Sequence, residues 1–446
     1  MKHLIHAYVA VALLSIFYPV TIKAQTFDKL KMDSLFDRLA SKNKSMGNVT
    51  ISRNGRILYS KAIGYSYIGQ GVKRPANTQT RYRIGSISKM FTATMILQLV
   101  EEGRLKLSTN LERFFPTLPN AKLITVSNLL NHRSGIHNFT SDADYLTYLD
   151  KPKTRQELFD IIARNAVDFQ PDQRASYSNA NYILLSWIIE DVTGESFAKA
   201  LEQKICKRID LKNTYVGNGV DTLNGESYSY RYVNGWEPET VTDMSIPGGA
   251  GAIISTSSDL CVFIESLFNG KLIADSNLLK MRTMVDGFGM GMFSYPFMNK
   301  RAFGHTGGID GFSSMVVYFP EDSLAAAYCS NGQAYSMNDV MIGTLSIYYN
   351  RPYLLPEFRT LYVKPEDLDK YIGLYTCVQL PMKISITKDS VTLIAQASGQ
   401  PSFRLEAFET DKFRYDLAGV RMEFIPERKE MILRQGGGVF LFTREK

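Results

Sequence analysis

The segment Tyr82–Gln98, YRIGSISKMFTATMILQ, places Ser86 and Lys89 three positions apart, directly after Gly85, at the start of an apolar run. The apolar side chains that follow recur at spacings that predict a helix buried on most sides. Residues three apart share one face of a helix, so the Ser86 hydroxyl and the Lys89 amine are expected to lie within reach of each other. We predict that the fold is organised around this helix.

The Ser86–Lys89 pair has the chemistry of an activated nucleophile. A serine hydroxyl reacts slowly at neutral pH unless a neighbouring group accepts its proton. Burial lowers the pKa of a lysine amine, and so does the positive end of a helix dipole, which makes Lys89 a candidate base. The free N–H groups at the start of the helix are candidates for stabilising an oxyanion.

The S-x-x-K spacing alone does not identify a site, because it occurs four times in the chain. The other three occurrences are Ser41/Lys44, Ser196/Lys199 and Ser385/Lys388. They lie, in that order, at a polar helix end, at the cap of a solvent-facing helix and in a strand-like alternation. Ser86 alone begins a long apolar helix, so we select it as the candidate nucleophile.

Residues 1–24 have the features of a secretory signal peptide. A basic residue at the start is followed by the apolar run Ala7–Val20 and by Ala24, after which cleavage is expected. We therefore predict an exported protein, periplasmic or secreted, with no membrane span in the mature chain. An uncleaved N-terminal anchor is the alternative.

Composition excludes several classes of function. The chain has a net charge of +7 with basic and acidic residues interspersed, so we expect no nucleic-acid partner. The three histidines outside the signal peptide carry no metal-ligand spacing, so we predict no metal site. The four cysteines are widely spaced, which favours free thiols over disulfides; they are Cys206, Cys261, Cys329 and Cys377.

Local patterns predict the elements around this helix. We expect an amphipathic helix over Phe27–Lys42, a hairpin over Asn48–Ala62 that turns at Asn54-Gly55, and a helix over Tyr182–Val192. The region from Gly103 to Gly194 is expected to be largely helical, with His132 and His137 as loop and packing residues. Over Lys300–Pro320 we expect a short strand, a glycine-rich bend and a second strand.

Two further motifs follow the serine helix. The first is Tyr177-Ser178-Asn179, in a turn-rich segment between helices, and the second is His305-Thr306-Gly307, within the glycine-rich stretch. In this order, the three motifs resemble the signatures of penicillin-recognising serine hydrolases related to class C β-lactamases, D-alanyl-D-alanine carboxypeptidases and esterases. The related triplet of class A β-lactamases and penicillin-binding proteins is S-x-x-K, S-D-N and K-T-G.

The resemblance, which covers roughly residues 30–350, implies an acyl-enzyme mechanism that needs no metal and no organic cofactor. Ser86 would attack a carbonyl carbon, and Lys89 and Tyr177 would pass its proton to the leaving group. The remaining implied site residues are Ser86 and Gly308 through their N–H groups in the oxyanion hole, and Asn179, His305, Thr306 and Gly307 in substrate binding.

Histidine in place of the lysine of K-T-G bears on the substrate. A phenol acts as a base only where neighbouring cations stabilise its phenolate, and we expect Lys89 and His305 to be those cations for Tyr177. Histidine titrates near neutrality. A carboxylate-bearing substrate would then bind less well as the pH rises through the pKa of His305.

The fold implied is α/β in the α+β sense and β-lactamase/transpeptidase-like, with an antiparallel sheet flanked by helices and a helical domain beside it. Short alternating runs predict a small all-β domain over residues 366–446. We divide the chain into a signal peptide at 1–24, a hydrolase domain at 25–350, a linker at 351–365 and this β domain.

The function implied is that of an exported serine hydrolase with D-amino-acid peptidase, amidase or esterase activity, similar to a D-Ala-D-Ala carboxypeptidase. Its partner would be a small-molecule or peptide substrate. Two alternatives stay open, a class C-type β-lactamase and a non-catalytic protein that binds penicillin or peptidoglycan. The sequence leaves the oligomeric state open.

Overall fold

The computed structural model describes residues 27–445, so the predicted signal peptide lies outside the described residues. Within that range the α-helices are α1 (Lys29–Ser41), α2 (Ser88–Glu101), α3 (Val126–Leu130), α4 (Arg155–Ala163), α5 (Asn179–Thr193), α6 (Phe197–Leu201), α7 (Lys207–Ile209), α8 (Gly248–Gly251), α9 (Ser257–Phe268), α10 (Asp275–Arg282) and α11 (Met337–Tyr348).

The strands fall into two groups along the chain. Those before residue 335 are β1 (Ser45–Arg53), β2 (Arg56–Ile63), β3 (Tyr65–Gly69), β4 (Val72–Pro75), β5 (Tyr82–Arg83), β6 (Tyr215–Val216), β7 (Tyr230–Tyr232), β8 (Trp236–Pro238), β9 (Ile253–Ser255), β10 (Phe293–Phe297), β11 (Lys300–Ile309), β12 (Phe312–Phe319) and β13 (Leu324–Gln333). Those after it are β14 (Gly373–Thr376), β15 (Lys383–Lys388), β16 (Leu393–Ala397), β17 (Phe403–Arg404), β18 (Glu406–Glu409), β19 (Lys412–Tyr415), β20 (Val420–Ile425), β21 (Glu430–Gln435) and β22 (Gly438–Arg444).

The main sheet joins distant parts of the chain. Its strand order is β10-β11-β12-β13-β1-β2, with β7 and β8 beside β13. Strands β1 and β13 pair antiparallel, from Ser45 opposite Gln333 to Arg53 opposite Leu324. The predicted hairpin is confirmed, because β1 and β2 pair and their turn residues Asn54 and Gly55 have positive φ values of 52° and 76°.

Helices cover both faces of this sheet. Side chains alternate along a strand, so Val317 and Phe319 pack into one core with α1 and α11. Val316 and Tyr318 point to the other face and join the larger core that contains α2, α5 and α9. Helix α2 lies inside this larger core, where every residue from Ser88 to Leu99 is buried.

The bend predicted in the glycine-rich stretch occurs only at the end of that stretch, and the first strand is longer than expected. Strand β11 runs unbroken from Lys300 to Ile309, paired on one side with β10 and on the other with β12, and it turns at Asp310 and Gly311. Gly304 and Gly307 allow close backbone approach within the strand and do not change its direction. A Cβ at Gly304 would collide with the carbonyl of Val316, and one at Gly307 with that of Ile84.

The stretch between Gly103 and Gly194 is less helical than expected. Residues 104–153 contain α3 and short 3₁₀ turns, whereas α4 and α5 follow later. Pro116, Pro119 and Gly135 interrupt this stretch, and capping side chains such as Thr125 satisfy backbone groups locally.

The C-terminal strands form a second, separate sheet. Its nine strands have the order β17-β16-β15-β14-β22-β21-β20-β19-β18. Leu405 alone separates β17 from β18 at the two ends of this order, so the sheet is a nearly closed barrel around its own core. Asp416 of the barrel contacts the rest of the molecule, with its carboxylate 2.7 Å from Lys44 Nζ.

Within residues 27–445, no helix has the length and apolarity that a membrane span requires. Nor does this part of the chain bring together three or more His, Cys, Asp or Glu side chains that could hold a metal ion. The four cysteines are free thiols, and Cys206, Cys261 and Cys329 are buried.

Candidate active site

Ser86 lies in a tight turn directly before α2. Gly85, Ser86 and Ile87 form a 3₁₀ turn, and Gly85 has a φ of +49°, in the left-handed region that favours glycine. A Cβ on Gly85 would also lie 2.8 Å from the backbone nitrogen of Gly308. Glycine at position 85 therefore lets the Ser86 turn approach strand β11 closely.

Lys89 lies one turn after Ser86, as predicted, and is fully buried. Its Nζ is 3.0 Å from Ser86 Oγ, 2.8 Å from Asn179 Oδ1 and 2.8 Å from the Ala250 carbonyl oxygen. Burial lowers the pKa of Lys89 well below its ordinary value.

A neutral amine fits these three contacts. The Asn179 amide oxygen and the Ala250 carbonyl oxygen only accept hydrogen bonds, so they take the two N–H groups of the neutral Lys89 amine. The nitrogen lone pair is then left for the Ser86 hydroxyl. This arrangement can accept the proton of Ser86.

Tyr177 lies in the loop before α5, close to the pair. Lys89 Nζ is 4.9 Å from the centroid of the Tyr177 ring. Burial raises the pKa of Tyr177, although its hydrogen bond with Ser86 acts in the opposite direction. The ring of His132 packs against Tyr177 with centroids 4.5 Å apart, and His132 is buried, as expected of a packing residue.

The expected phenolate at Tyr177 is wrong in this environment. Burial, with a smaller contribution from Lys89, lowers the pKa of His305 to about 3, so its imidazole is neutral. Because the Lys89 amine also has a lowered pKa, neither neighbour is the stable cation that a phenolate needs. Tyr177 is therefore a neutral phenol that can donate or relay a proton.

His305 does not line the cavity beside Ser86, and its side chain does not titrate near neutral pH. Its ring is buried between Phe293 and Tyr177, with centroid distances of 4.8 and 6.4 Å. Its Nδ1 donates to the carbonyl oxygen of Thr306, while Nε2 has no hydrogen-bond partner within residues 27–445. The expectation that His305 titrates near neutrality is wrong, because burial disfavours the charged imidazolium.

Asn179 begins α5 and connects Lys89 to a neighbouring loop. Its Oδ1 accepts from Lys89, and its Nδ2 donates to Thr140 Oγ1 at 3.0 Å. Asn138 Oδ1 in turn accepts from the backbone N–H of Asn179 at 3.0 Å and from Thr140 Oγ1 at 3.1 Å. These bonds fix which end of the Asn179 amide faces Lys89.

Gly307 and Gly308 bring β11 to the Ser86 turn. The backbone of Gly307 lies against Ile84, and Ser314 Oγ, from the paired strand β12, donates to the Ile84 carbonyl at 2.8 Å. Gly308 and Ser86 both line one cavity. Their backbone N–H groups are thus placed on the two elements that meet there, as an oxyanion hole requires.

The cavity beside Ser86 has a volume of about 460 Å³ and a largely apolar wall. The apolar residues are Phe139, Tyr145, Leu146, Leu149, Ile183, Ile246, Pro247, Ala250 and Ile309. Among the described residues, its charged lining consists of Glu239 and Asp310, with no lysine or arginine. Asp310 is engaged, because it lies 3.1 Å from Arg83 and accepts from Thr242 Oγ1 at 2.6 Å.

Several of these residues were missed by sequence reasoning. Thr140 and Asn138 come from a loop with no periodic signal, and Glu239 follows the short strand β8. The carbonyl of Ala250, in the glycine-rich segment 247–251, binds Lys89. The glycines of that segment are the one signal available, because a Cβ at Gly249 would lie 2.7 Å from the Tyr182 carbonyl oxygen.

The other S-x-x-K pairs have structural roles. Ser196 caps α6 by accepting from the Lys199 N–H at 3.3 Å, and Lys44 binds Asp416 in the barrel. Ser385 and Lys388 lie in strand β15. Their surroundings agree with those inferred from the sequence.

Comparisons with known proteins agree with this geometry. A family model described as Beta-lactamase matches residues 33–344. A penicillin-binding protein of Bacillus subtilis (strain 168) is 27% identical over 429 residues, which span 88% of this chain and 92% of that protein. The teichoic acid D-alanine hydrolase of Staphylococcus aureus is 27% identical over 255 residues, which span 56% of this chain and 59% of that protein.

A solved structure shares the fold of the hydrolase region. The D-amino acid amidase of Ochrobactrum anthropi SV3, complexed with L-phenylalanine amide, has 25% sequence identity and a TM-score of 0.64. The likeness covers 72% of this chain and 98% of the amidase. The chain therefore belongs to the Beta-lactamase family, and it is a serine hydrolase.

Proposed function

We propose that this hydrolase cleaves esters or amides of D-amino acids through an acyl-enzyme on Ser86. The main support is the 3.0 Å contact between Ser86 Oγ and the buried amine of Lys89, whose pKa is lowered. Two similar proteins are named for D-amino-acid chemistry, the teichoic acid D-alanine hydrolase and the D-amino acid amidase.

In this mechanism the neutral Lys89 amine accepts the Ser86 proton as Oγ bonds to the substrate carbonyl carbon. The N–H groups of Ser86 and Gly308 stabilise the oxyanion. Tyr177, as a neutral phenol, relays the proton to the leaving amine or alcohol while the bond to that group breaks. Water then attacks the acyl-enzyme by the same route, releasing the acid and restoring Ser86.

The charges of the cavity support a substrate with a free ammonium group. A bound carboxylate, as in a penicillin or a D-Ala-D-Ala peptide, needs a cation, and the described lining holds none. His305 is neutral, so it does not supply one. An aminoacyl substrate instead brings a positive charge toward an acidic wall.

Glu239 is the carboxylate available to that ammonium group. Asp310 is already bound by Arg83 and Thr242, whereas Glu239 makes no side-chain hydrogen bond or ion pair with residues 27–445. The Glu239 backbone is held in place, because its N–H donates to the Ser229 carbonyl at 3.0 Å and its own carbonyl accepts from Tyr228. We assign Glu239 the role of binding the substrate ammonium.

The test compares hydrolysis of D-alanine p-nitroanilide, its L-enantiomer, the N-acetylated D-compound and benzylpenicillin, with Ser86→Ala as the control. We expect turnover of the free D-compound and an acyl adduct on Ser86, detected by mass spectrometry after rapid acid quenching. Fast turnover of benzylpenicillin would instead establish the β-lactamase alternative. No adduct and no turnover with any compound would contradict the proposed function.

A further inference from the structure

The C-terminal barrel contains a cavity of about 530 Å³ at one of its two ends. The cavity is lined by residues from the connections between β14 and β15, β16 and β17, and β19 and β20, and by Gln435 and Phe440 beside the connection between β21 and β22. All four connections lie at the same end of the barrel. This volume falls within the range of pockets that bind small molecules, roughly 300–1,000 Å³.

The other end of the barrel is closed. There the 3₁₀ helix Pro365–Tyr371 covers the opening, with Tyr371 bonded to Asp411 at 2.6 Å. The Tyr371 ring packs on Phe413 and Phe424, with centroids 5.0 and 4.9 Å apart, and fills the interior at this level. The barrel is thus a cup with an aromatic floor and one open mouth.

The wall of the cup is apolar and built from the inward-facing positions of the strands. The buried members are Ile384, Ala397, Val420, Met422 and Leu433. Around the mouth lie half-buried apolar groups, including Met382 and Phe440, and the neutral polar side chains Gln400, Ser402 and Gln435. Within the described part of the chain, the lining includes no charged side chain.

We propose that this barrel binds an uncharged molecule with an aliphatic chain, with the chain inside the cup and a neutral polar head at the mouth. An apolar wall favours an apolar chain, because burying both removes their surfaces from water. A charged head group would lack a counter-ion at this mouth, and removing it from water would be unfavourable in free energy. The neutral amides and the Ser402 hydroxyl can still hydrogen-bond an uncharged head. This site is separate from Ser86 and does not rest on the function proposed there.

The test uses the full mature chain and the uncharged fluorophore N-phenyl-1-naphthylamine, whose emission rises in apolar surroundings. We expect saturable binding of one dye per chain, and displacement of the dye by 1-decanol. Ala397→Trp fills the cup and should weaken dye binding at least tenfold. Gln396→Trp places the same side chain on the outer face of the same strand and should leave the affinity unchanged.

A second variant keeps the test decisive if Ala397→Trp does not fold. Met382→Lys adds a charge at the half-buried mouth, where folding is affected less, and should also weaken dye binding. Ser86→Ala should bind the dye as the wild type does. The absence of saturable binding in the wild type, or an unchanged affinity in both cavity variants, would overturn the proposal.

Discussion

Lys89 lies at the centre of the proposed catalytic site. Its amine is surrounded by the Ser86 hydroxyl and by two oxygens that only accept hydrogen bonds. Those oxygens bind an ammonium and a neutral amine alike, but burial penalises the ammonium. The site therefore favours the state in which Lys89 can accept a proton.

A change of Lys89 to arginine separates charge from basicity. Arginine keeps the donors for Asn179 and Ala250, but it stays protonated and so cannot accept the Ser86 proton. We expect kcat for a p-nitrophenyl ester to fall about 10²–10⁴-fold in both Lys89→Arg and Lys89→Met. Circular dichroism checks that both fold. Activity of Lys89→Arg near that of the wild type would contradict a role for Lys89 as base.

The pH dependence follows from the same residue. Because the base must be neutral, kcat/KM should rise with pH through the lowered pKa of Lys89 and then remain high. With a pKa of about 3, His305 stays neutral at higher pH, so KM for a carboxylate-bearing ester that lacks an amino group should be constant from about pH 5.5 to 8.5. A steady-state profile measures both. A KM that rises through this range in the wild type, but not in His305→Asn, would show that His305 titrates in this range and binds the substrate carboxylate.

We propose that Glu239 recognises the ammonium group of the substrate. Glu239→Gln removes the charge but keeps the shape, so kcat/KM for D-alanine p-nitroanilide should fall about tenfold, the lower range for a charge-assisted hydrogen bond. Activity on the N-acetylated compound should not fall. Glu237→Gln, on an exposed neighbour, is the matched control. An equal loss of kcat/KM on both substrates would show that Glu239 supports the structure of the site and does not bind the substrate ammonium.

At the scale of elements, the close approach of β11 to the Ser86 turn depends on glycine. A Cβ at Gly307 would collide with the Ile84 carbonyl, whereas a Cβ at Gly308 would meet just the Phe312 carbonyl oxygen, at 3.9 Å. Both glycines lie in the same strand, two and one residues before Ile309. Replacing each of them with alanine therefore separates the effect of crowding against Ile84 from the effect of losing a glycine in this strand.

We expect Gly307→Ala to lower the free energy of unfolding by about 1–3 kcal/mol, because strand β11 must move away from Ile84. Gly308→Ala should change it by less than about 0.5 kcal/mol. Urea denaturation measures the difference. Equal stability of the two variants would show that β11 does not need this close approach.

At the scale of the whole molecule, the barrel is joined to the hydrolase through Asp416. Its buried carboxylate lies 2.7 Å from Lys44 and 3.1 Å from Arg421, and its carbonyl accepts from the Ser336 N–H at 2.8 Å. Between the two units, residues 351–364 have no regular secondary structure. The Asp416 contacts therefore help to hold the barrel in place, together with the connecting segment, whose Glu357 and Arg359 carbonyl oxygens accept from Arg414 at 2.8 Å.

Removing the Lys44 charge should loosen this junction. In Lys44→Met the Asp416 carboxylate keeps its ion pair with Arg421. The loss of unfolding free energy should therefore stay below the roughly 3–5 kcal/mol expected for a fully unpaired buried charge. We expect faster tryptic cleavage within residues 351–364, followed by mass spectrometry of the fragments. Lys42→Met, on an exposed neighbour, should cleave at the wild-type rate. Equal rates in both variants would contradict this role of Lys44.

Local sequence determined much of the fold. The Ser86–Lys89 spacing, the Asn54-Gly55 hairpin and the alternating runs of the barrel depend on residues close together in the chain, and the structure confirms each as an element. The motifs that contain Ser86, Lys89, Tyr177 and Asn179 resemble those of a known family. That resemblance predicted that these residues lie near one another. Periodicity predicts these features because it records which face of each element is buried.

Tertiary structure alone decided the protonation states and the walls of the site. The pKa of His305 is lowered, and that of Tyr177 raised, by burial among residues far away in the sequence. Thr140 and Glu239 reach the site from segments that lack any periodic pattern, and Ala250 reaches it from the short helix α8. Desolvation and three-dimensional proximity are properties of the packed chain. Sequence spacing therefore predicted the candidate nucleophile and its base, but it could not predict the charges that line the cavity around them.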